Sequence, residues 1–281
     1  MRFAVFAKHL QSWSLEECVD RVAAAGFDGL DLTVRPGGYV QPGEALASDF
    51  AKAVKTIRTA GLEVPLITTG LTSAVDPTAE PTLRLAGEYG IREAKLHYWP
   101  WDGSVPLVKV VDSARRDLDG LEKLARSTGV RVNIHNHSGD HVQNSPWVLN
   151  ELLRERDPAA VGCYFDPAHF TLEGGLSGWR AALELLASRV TLLAVKDGKW
   201  IDIQGARMPS QERRWVPVGT GNVRWSAVLT ALRAAGFDGW VSIHGEYQGR
   251  WSWRDLTSAE VLLQCVTDRE VVRSTLAASA S

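Results

Sequence analysis

Apolar residues along this chain gather into short blocks, and most of these blocks follow a helix-like stretch that closes on glycine. The clearest case is Ala24-Ala25-Gly26-Phe27-Asp28-Gly29 leading into Leu30-Asp31-Leu32-Thr33-Val34. Nearly the same string returns at Ala234-Ala235-Gly236-Phe237-Asp238-Gly239, ahead of Trp240-Val241-Ser242-Ile243-His244. Weaker copies are Ala60-Gly61, Tyr89-Gly90 and Thr128-Gly129, each followed by an apolar block. Glycine suits the left-handed position that ends a helix. A nearly continuous apolar block fits a parallel strand buried on both faces.

The pattern predicts eight strands: Phe3–Ala7, Gly29–Val34, Glu63–Thr68, Glu93–His97, Arg131–His135, Val161–Asp166, Val190–Lys196 and Trp240–His244. Helices separate them. Ser14-Leu15-Glu16-Glu17 has the spacing of a capping box, and Pro146 after Ser145 suits the first turn of a helix over Trp147–Arg156. Alternating strands and helices in this number predict an α/β fold, a single-domain (β/α)8 TIM barrel over residues 1–273, with a doubly wound open sheet as the alternative. Residues 274–281 are small and polar and are expected to fray.

Composition narrows the function. A 45% hydrophobic content over 281 residues supports one large core. The net charge of −2, without a basic stripe, argues against a nucleic-acid partner. No apolar run approaches the roughly 20 residues that cross a bilayer, so no membrane partner is expected. The N-terminus reads as a strand rather than a signal peptide. Three widely spaced cysteines (Cys18, Cys163, Cys265) suggest reduced thiols and a cytoplasmic setting.

All seven histidines (His9, His97, His135, His137, His141, His169, His244) fall at predicted strand ends or in the loops beyond them. In a barrel those ends converge on the face that carries the active site. Strand alternation puts Asp31, His97, His135, Asp166, Lys196 and His244 on inward positions, with His137 and Glu246 two residues further along. Two imidazoles and a carboxylate suffice for a divalent metal with open coordination positions. His135, Asp166 and His244 form the expected metal set, and His169 is either a fourth ligand or a group that hydrogen-bonds substrate.

Four motifs carry a family resemblance. Ile134-His135-Asn136-His137, Cys163-Tyr164-Phe165-Asp166-Pro167-Ala168-His169, Val195-Lys196-Asp197 and Val241-Ser242-Ile243-His244 occur in the order of the xylose-isomerase-like TIM barrels. The chain resembles this superfamily of sugar and sugar phosphate isomerases and epimerases from its first strand to its last. The resemblance implies metal ligands Glu, Asp, His and Glu on strands five to eight. This chain has His135 in place of the first Glu, keeps Asp166, has Ala194 in place of His, and has His244 in place of the last Glu. Nitrogen donors at two positions favour one manganese, cobalt, zinc, iron or nickel ion over magnesium. The glutamates that act as proton-transfer bases in the family are both replaced. Glu246 and Lys196 are the expected substitutes, with His169, His97 or His137 returning the proton or holding an oxyanion.

The loops point to a small carbohydrate substrate. Trp99 and Trp101 follow strand four, Trp200 and Trp215 bracket a long polar insertion after strand seven, and Trp251 and Trp253 follow strand eight. Such rings suit the C–H faces of a sugar or a subunit contact, which leaves a homo-oligomer open. Arg35 could hold a carboxylate, phosphate or hydroxyl. The expected activity is isomerisation or epimerisation of a sugar or keto-sugar through an enediolate. The rivals are a lyase that cleaves a 3-keto-glycoside by β-elimination, a non-catalytic sugar-binding or partner subunit, and a metal-dependent DNA-repair phosphodiesterase, which the charge disfavours.

Overall fold

A computed structural model describes residues 1–205 and 210–278. Eight parallel strands close into a barrel: β1 (Arg2–Phe6), β2 (Gly29–Val34), β3 (Ile67–Thr69), β4 (Glu93–Lys95), β5 (Arg131–His135), β6 (Val161–Phe165), β7 (Val190–Val195) and, after a separate hairpin of β8 (Asp197–Asp202) and β9 (Gln211–Val216), β10 (Trp240–Ile243). β1 pairs with both β2 and β10, which closes the ring. Around it lie α1 (Leu15–Ala24), α2 (Leu46–Thr59), α3 (Ala79–Glu88), α4 (Leu107–Thr128), α5 (Pro146–Leu153), α6 (Pro167–Gly174), α7 (Gly178–Leu186), α8 (Trp225–Ala234) and α9 (Ser258–Ala278). The architecture is a single (β/α)8 TIM barrel.

Local chemistry accounts for the boundaries. The Ser14 hydroxyl accepts from the Glu17 amide at the start of α1, and Pro146 opens α5 behind Ser145. Gly26 and Gly236 take φ of 72° and 82°, so the repeated Gly-Phe-Asp-Gly string turns the chain from helix into β2 and β10. Phe27 and Phe237 are buried beneath those turns.

Several strands are shorter than the apolar blocks suggest. Pro65 has no amide proton, so only a single bridge, Gly29 to Glu63, joins this stretch to β2 before β3 begins at Ile67. β6, β7 and β10 each stop one residue early, and Asp166, Lys196 and His244 lie just past their ends. The insertion after β7 is the antiparallel hairpin β8–β9, whose tip (206–209) lies outside the described residues. At the C-terminus, α9 carries helix through 274–278, where a frayed tail is expected from composition. Thr275 bonds the Val271 carbonyl, and the Leu276 carbonyl accepts from Arg233. The last three residues lie outside the described residues. No helix among the described residues is long and apolar enough to cross a membrane.

The barrel interior is layered. Leu66, Tyr164, Leu192 and Ala194 pack together inside it, with Trp240 against them. Buried polar groups lie above: Asp31, Thr68, His135, Asp166, Lys196, Ser242 and His244. The apolar floor means that this polar set opens toward the strand C-terminal ends, where barrel active sites form.

Asp268 on α9 is another buried acid. It accepts from the Val218 amide and Gln264, and its Oδ2 lies 2.6 Å from Tyr247 Oη. Burial pushes its carboxyl up to about 6. The folded state therefore holds a proton that the unfolded chain releases near pH 4, and stability falls as pH rises from about 4 to 6. The expected loss is on the order of 3 kcal/mol. Urea denaturation across this range should show that wild type loses this stability relative to Asp268→Asn. A constant difference between the two proteins would refute the raised carboxyl.

Candidate functional site

Asp166 stands at the centre of the polar layer, and its surroundings fix it completely. The Asn136 side chain bonds its backbone at both ends: Asn136 Oδ1 accepts from the Asp166 amide, and Nδ2 donates to the Asp166 carbonyl, each at 2.7 Å. Oδ1 caps α6 by accepting from the amides of Ala168 and His169. Oδ2 is left facing inward. It lies 3.6 Å from His135 Nε2, 3.6 Å from His169 Nε2 and 3.4 Å from Lys196 Nζ.

The hydrogen-bond network assigns the imidazole protons. His244 Nε2 lies 2.8 Å from Tyr164 Oη, and that hydroxyl donates to Asp31 Oδ2. His244 therefore donates through Nε2, and its Nδ1 keeps a lone pair. His135 Nδ1 lies 3.1 Å from Tyr98 Oη, a contact that either tautomer can make; a ring that donates there has Nε2 as the free nitrogen. His135 Nε2, Asp166 Oδ2 and His244 Nδ1 are all buried without hydrogen-bond partners. One ligand atom from each of these three residues fits within 4.8 Å of the others. Burial, reinforced by the positive charge of nearby lysines, holds both imidazoles far below their usual pKa, in the neutral form that a metal needs. These residues fit a divalent ion, and the outer contacts through Tyr98, Tyr164 and Asp31 are of the kind that orient ligating histidines.

His169 differs from these two. The Ser138 amide donates to its Nδ1 at 3.1 Å, so Nδ1 carries no proton and Nε2–H points at Asp166 Oδ2. As a neutral ring it is a hydrogen-bond donor rather than a fourth ligand. His137 has the opposite tautomer: its Nδ1 lies 2.7 Å from the Ser138 carbonyl, which can only accept, so Nε2 is an acceptor. The two rings lie 4.1 Å apart.

Lys196 and Glu246 form a close pair, Nζ to Oε1 2.7 Å, with Trp215 of β9 stacked 4.4 Å from the ammonium. Burial raises the Glu246 carboxyl, but Lys196, Lys8 and His9 outweigh it and hold the group well below the usual carboxylate range. Glu246 is 19% exposed and lines the cavity, whereas Lys196 is 1% exposed behind it. Glu246 does not pair with Arg250, which lies near Glu212 instead.

The cavity encloses about 440 Å³, its mouth included, among Phe6, Lys8, Arg35, Thr68, Lys95, Tyr98, His135, His137, Tyr164, His244 and Glu246. Of the residues expected at substrate, Arg35 and His137 line it. His97, Trp99, Trp101 and Trp200 do not. β4 ends at Lys95, so the alternation that would aim His97 inward stops, and Tyr98 enters the cavity in its place. Trp99 is buried in the core with its indole on Asp117. The Trp101 and Trp200 indoles bond the carbonyls of Val105 and Leu172. Lys95, Tyr98 and Tyr164 escape a reading centred on the strand termini. Tyr164 shares a face with Asp166, and Lys95 is a lone cation in a buried strand, so both left a signal in the alternation.

The xylose isomerase-like TIM barrel family profile matches residues 19–264, and the chain belongs to this family. An inosose dehydratase of Geobacillus thermodenitrificans (strain NG80-2) is 25% identical over 142 residues, 46% of each chain, so less than half the length of that curated relative is spanned. Among solved structures, a D-tagatose 3-epimerase-like protein superposes with a TM-score of 0.74 at 16% identity, covering 100% of this chain and 98% of that one. The IOLI protein with a bound zinc atom superposes at 0.72 and 16% identity, covering 98% and 99%. At these identities the structural likeness is one of fold.

The Asn136 clamp gives a test of how this site is held. Asn136→Ala leaves the Asp166 amide and carbonyl buried without those partners, and the expected cost is about 2–4 kcal/mol. Denaturant titration measures it. A loss below about 0.5 kcal/mol, the range of an ordinary surface change, would show that the clamp is dispensable.

Proposed function

We propose that this chain is a divalent-metal-dependent enzyme that moves a proton on the carbon beside a carbonyl of a carbohydrate, as an isomerase or epimerase. The observation that carries the reading is the convergence, within 4.8 Å, of one ligand atom each from the buried residues His135, Asp166 and His244, each of which also has a buried polar atom without a hydrogen-bond partner. A bound ion would polarise adjacent carbonyl and hydroxyl oxygens and so acidify the intervening C–H. Manganese, cobalt, zinc, iron or nickel suits two nitrogens and one oxygen. Family membership and the zinc atom in the IOLI structure support such a site.

The remaining residues divide the proton work. Glu246 is the base: it is ionised, reaches the cavity and is held in place by Lys196. Lys196 positions both Glu246 and Asp166 and balances their charge. His169 offers Nε2–H to a substrate oxygen, and His137 offers Nε2 as a second proton acceptor. Trp215 covers the Lys196 ammonium.

A second reading has a specific basis. Two-base epimerisation needs proton acceptors on opposite faces of the reacting carbon, and Glu246 is the only carboxylate among the cavity-lining residues. One base is enough to form an enolate that expels a β-substituent, as in a lyase acting on a 3-keto-glycoside. Loss of water from a keto-cyclitol, the reaction that the name inosose dehydratase implies, is an elimination of the same type.

Metal analysis and turnover test both readings. The purified chain should hold about one divalent ion, lost in Asp166→Ala and His244→Ala. Glu246→Gln should keep the ion and lose about 10²–10⁴-fold in turnover. Solvent deuterium entering an unbroken sugar supports the isomerase, and release of a leaving group only from a keto-substrate supports the lyase. Absence of metal after reloading with manganese, cobalt or zinc would overturn the mechanism.

A further inference from the structure

The barrel mouth is divided into two arcs of different chemistry. β5, β6, β7 and β10 supply the imidazoles, Asp166 and the Lys196–Glu246 pair. The neighbouring strands β1 to β4 supply the opposite wall. Lys8 follows β1, Arg35 follows β2, Thr68 lies on β3 and Lys95 ends β4, and all four line the same cavity. Adjacent strands thus place three cations and a hydroxyl side by side.

None of these cations is in an ion pair among the described residues, although Glu246 acts on Lys8 and Asp31 on Lys95 at longer range. Every ion pair of Lys196 is accounted for by Asp166 and Glu246, but none of Lys8, Arg35 and Lys95 has a carboxylate oxygen within 4.0 Å among the described residues. Lys95 is 4% exposed, and its ammonium rests 4.0 Å from the centre of the Tyr98 ring. Burial and then the charge of Arg35 push it down to about 7, more than the attraction of Asp31 offsets. The two acids nearby are already engaged. Asp31 accepts from the hydroxyls of Thr68, Tyr164 and Ser242, and Glu246 is held by Lys196. Leaving a buried cation unpaired costs several kcal/mol unless an anion arrives to offset it.

We propose that Lys8, Arg35 and Lys95 form an oxyanion subsite, so that the substrate is an acidic sugar carrying a carboxylate or phosphate. The inference rests on the proposed carbohydrate chemistry and deepens it. Bound by its anionic group to the cationic arc, the sugar extends across the cavity, and its reacting carbon meets Glu246 and the His135–Asp166–His244 cluster. Arg35 contributes a planar fork suited to either anion, and the lysines add charge without directional demand. A neutral hexose in the same place would leave the ammonium of Lys95 uncompensated, and this gives discrimination between acidic and neutral sugars.

Binding to the full-length chain tests this, with the chain both stripped of metal by chelator and reloaded. The probes are D-gluconate, inorganic phosphate and the neutral D-glucitol, followed by calorimetry. D-gluconate or phosphate should bind the metal-free chain at least about tenfold tighter than D-glucitol. The tighter of the two anions distinguishes a sugar acid from a sugar phosphate. Arg35→Gln and Lys8→Gln, both at the more open end of the arc, should each weaken the anion about tenfold and leave D-glucitol unchanged. Equal binding of D-glucitol, equal loss of both ligands in Arg35→Gln, or no saturable anion binding would each overturn the subsite. Because the readout needs no metal, anion binding without a metal site refutes the proposed mechanism alone, and a metal site indifferent to anions refutes this inference alone.

Discussion

The site depends on one divided carboxylate. Asp166 gives one oxygen to the first amides of α6 and the other to the interior of the barrel. The helix therefore starts where it does because the same residue faces the cavity, and neither function can be moved without the other. Asn136 makes the arrangement rigid by fixing the backbone on both sides of that side chain. His135, His169 and Lys196 then come to within 3.6 Å of a single oxygen atom whose position is over-determined.

Burial sets the protonation of everything around that atom. The imidazoles of His135, His169 and His244 are driven to the neutral form, chiefly by loss of water and further by Lys196. Neutral rings must choose which nitrogen holds the proton, and here the neighbours choose for them. The Tyr164 hydroxyl takes the proton of His244 outward, the Tyr98 hydroxyl contacts His135 Nδ1, and the Ser138 amide and carbonyl assign His169 and His137 opposite roles. Similar residues thereby take different roles: His244 keeps a lone pair on Nδ1, His169 is a donor and His137 an acceptor. The remaining positive charge collects on the β1–β4 side of the cavity, where Asp31 is already saturated with hydroxyl donors.

The sequence reveals the barrel because its signals are local and repeated. Gly-Phe-Asp-Gly recurs ahead of β2 and β10, and apolar blocks of strand length follow glycine-closed helices. His135, Asp166 and His244 are legible for the same reason, since each ends an apolar block at which strand parity still holds. Parity fails where backbone geometry intervenes. Pro65 delays β3, and the early end of β4 turns His97 out and brings Tyr98 in. The hairpin β8–β9 reads as a polar insertion because its alternation, exposed on one face, lacks the apolar density of a barrel strand. The tryptophans mislead through composition: Trp99 is a core residue, and Trp101 and Trp200 use their indole protons on nearby carbonyls. Lys95 lies one layer below the strand ends, where attention to termini does not reach.

The contact between Ser138 and His169 bears on how this site can change over generations. The donor that sets the His169 tautomer is a main-chain amide, which nineteen of the twenty amino acids would supply equally well; only proline removes it. Point changes at position 138 can therefore alter the hydroxyl contact and local packing while the proton stays on Nε2. The orientation of His244, by contrast, hangs on the Tyr164 side chain and is open to drift. Substitution at position 164 can therefore re-orient His244, whereas the donor to His169 beside β5 is fixed by the main chain.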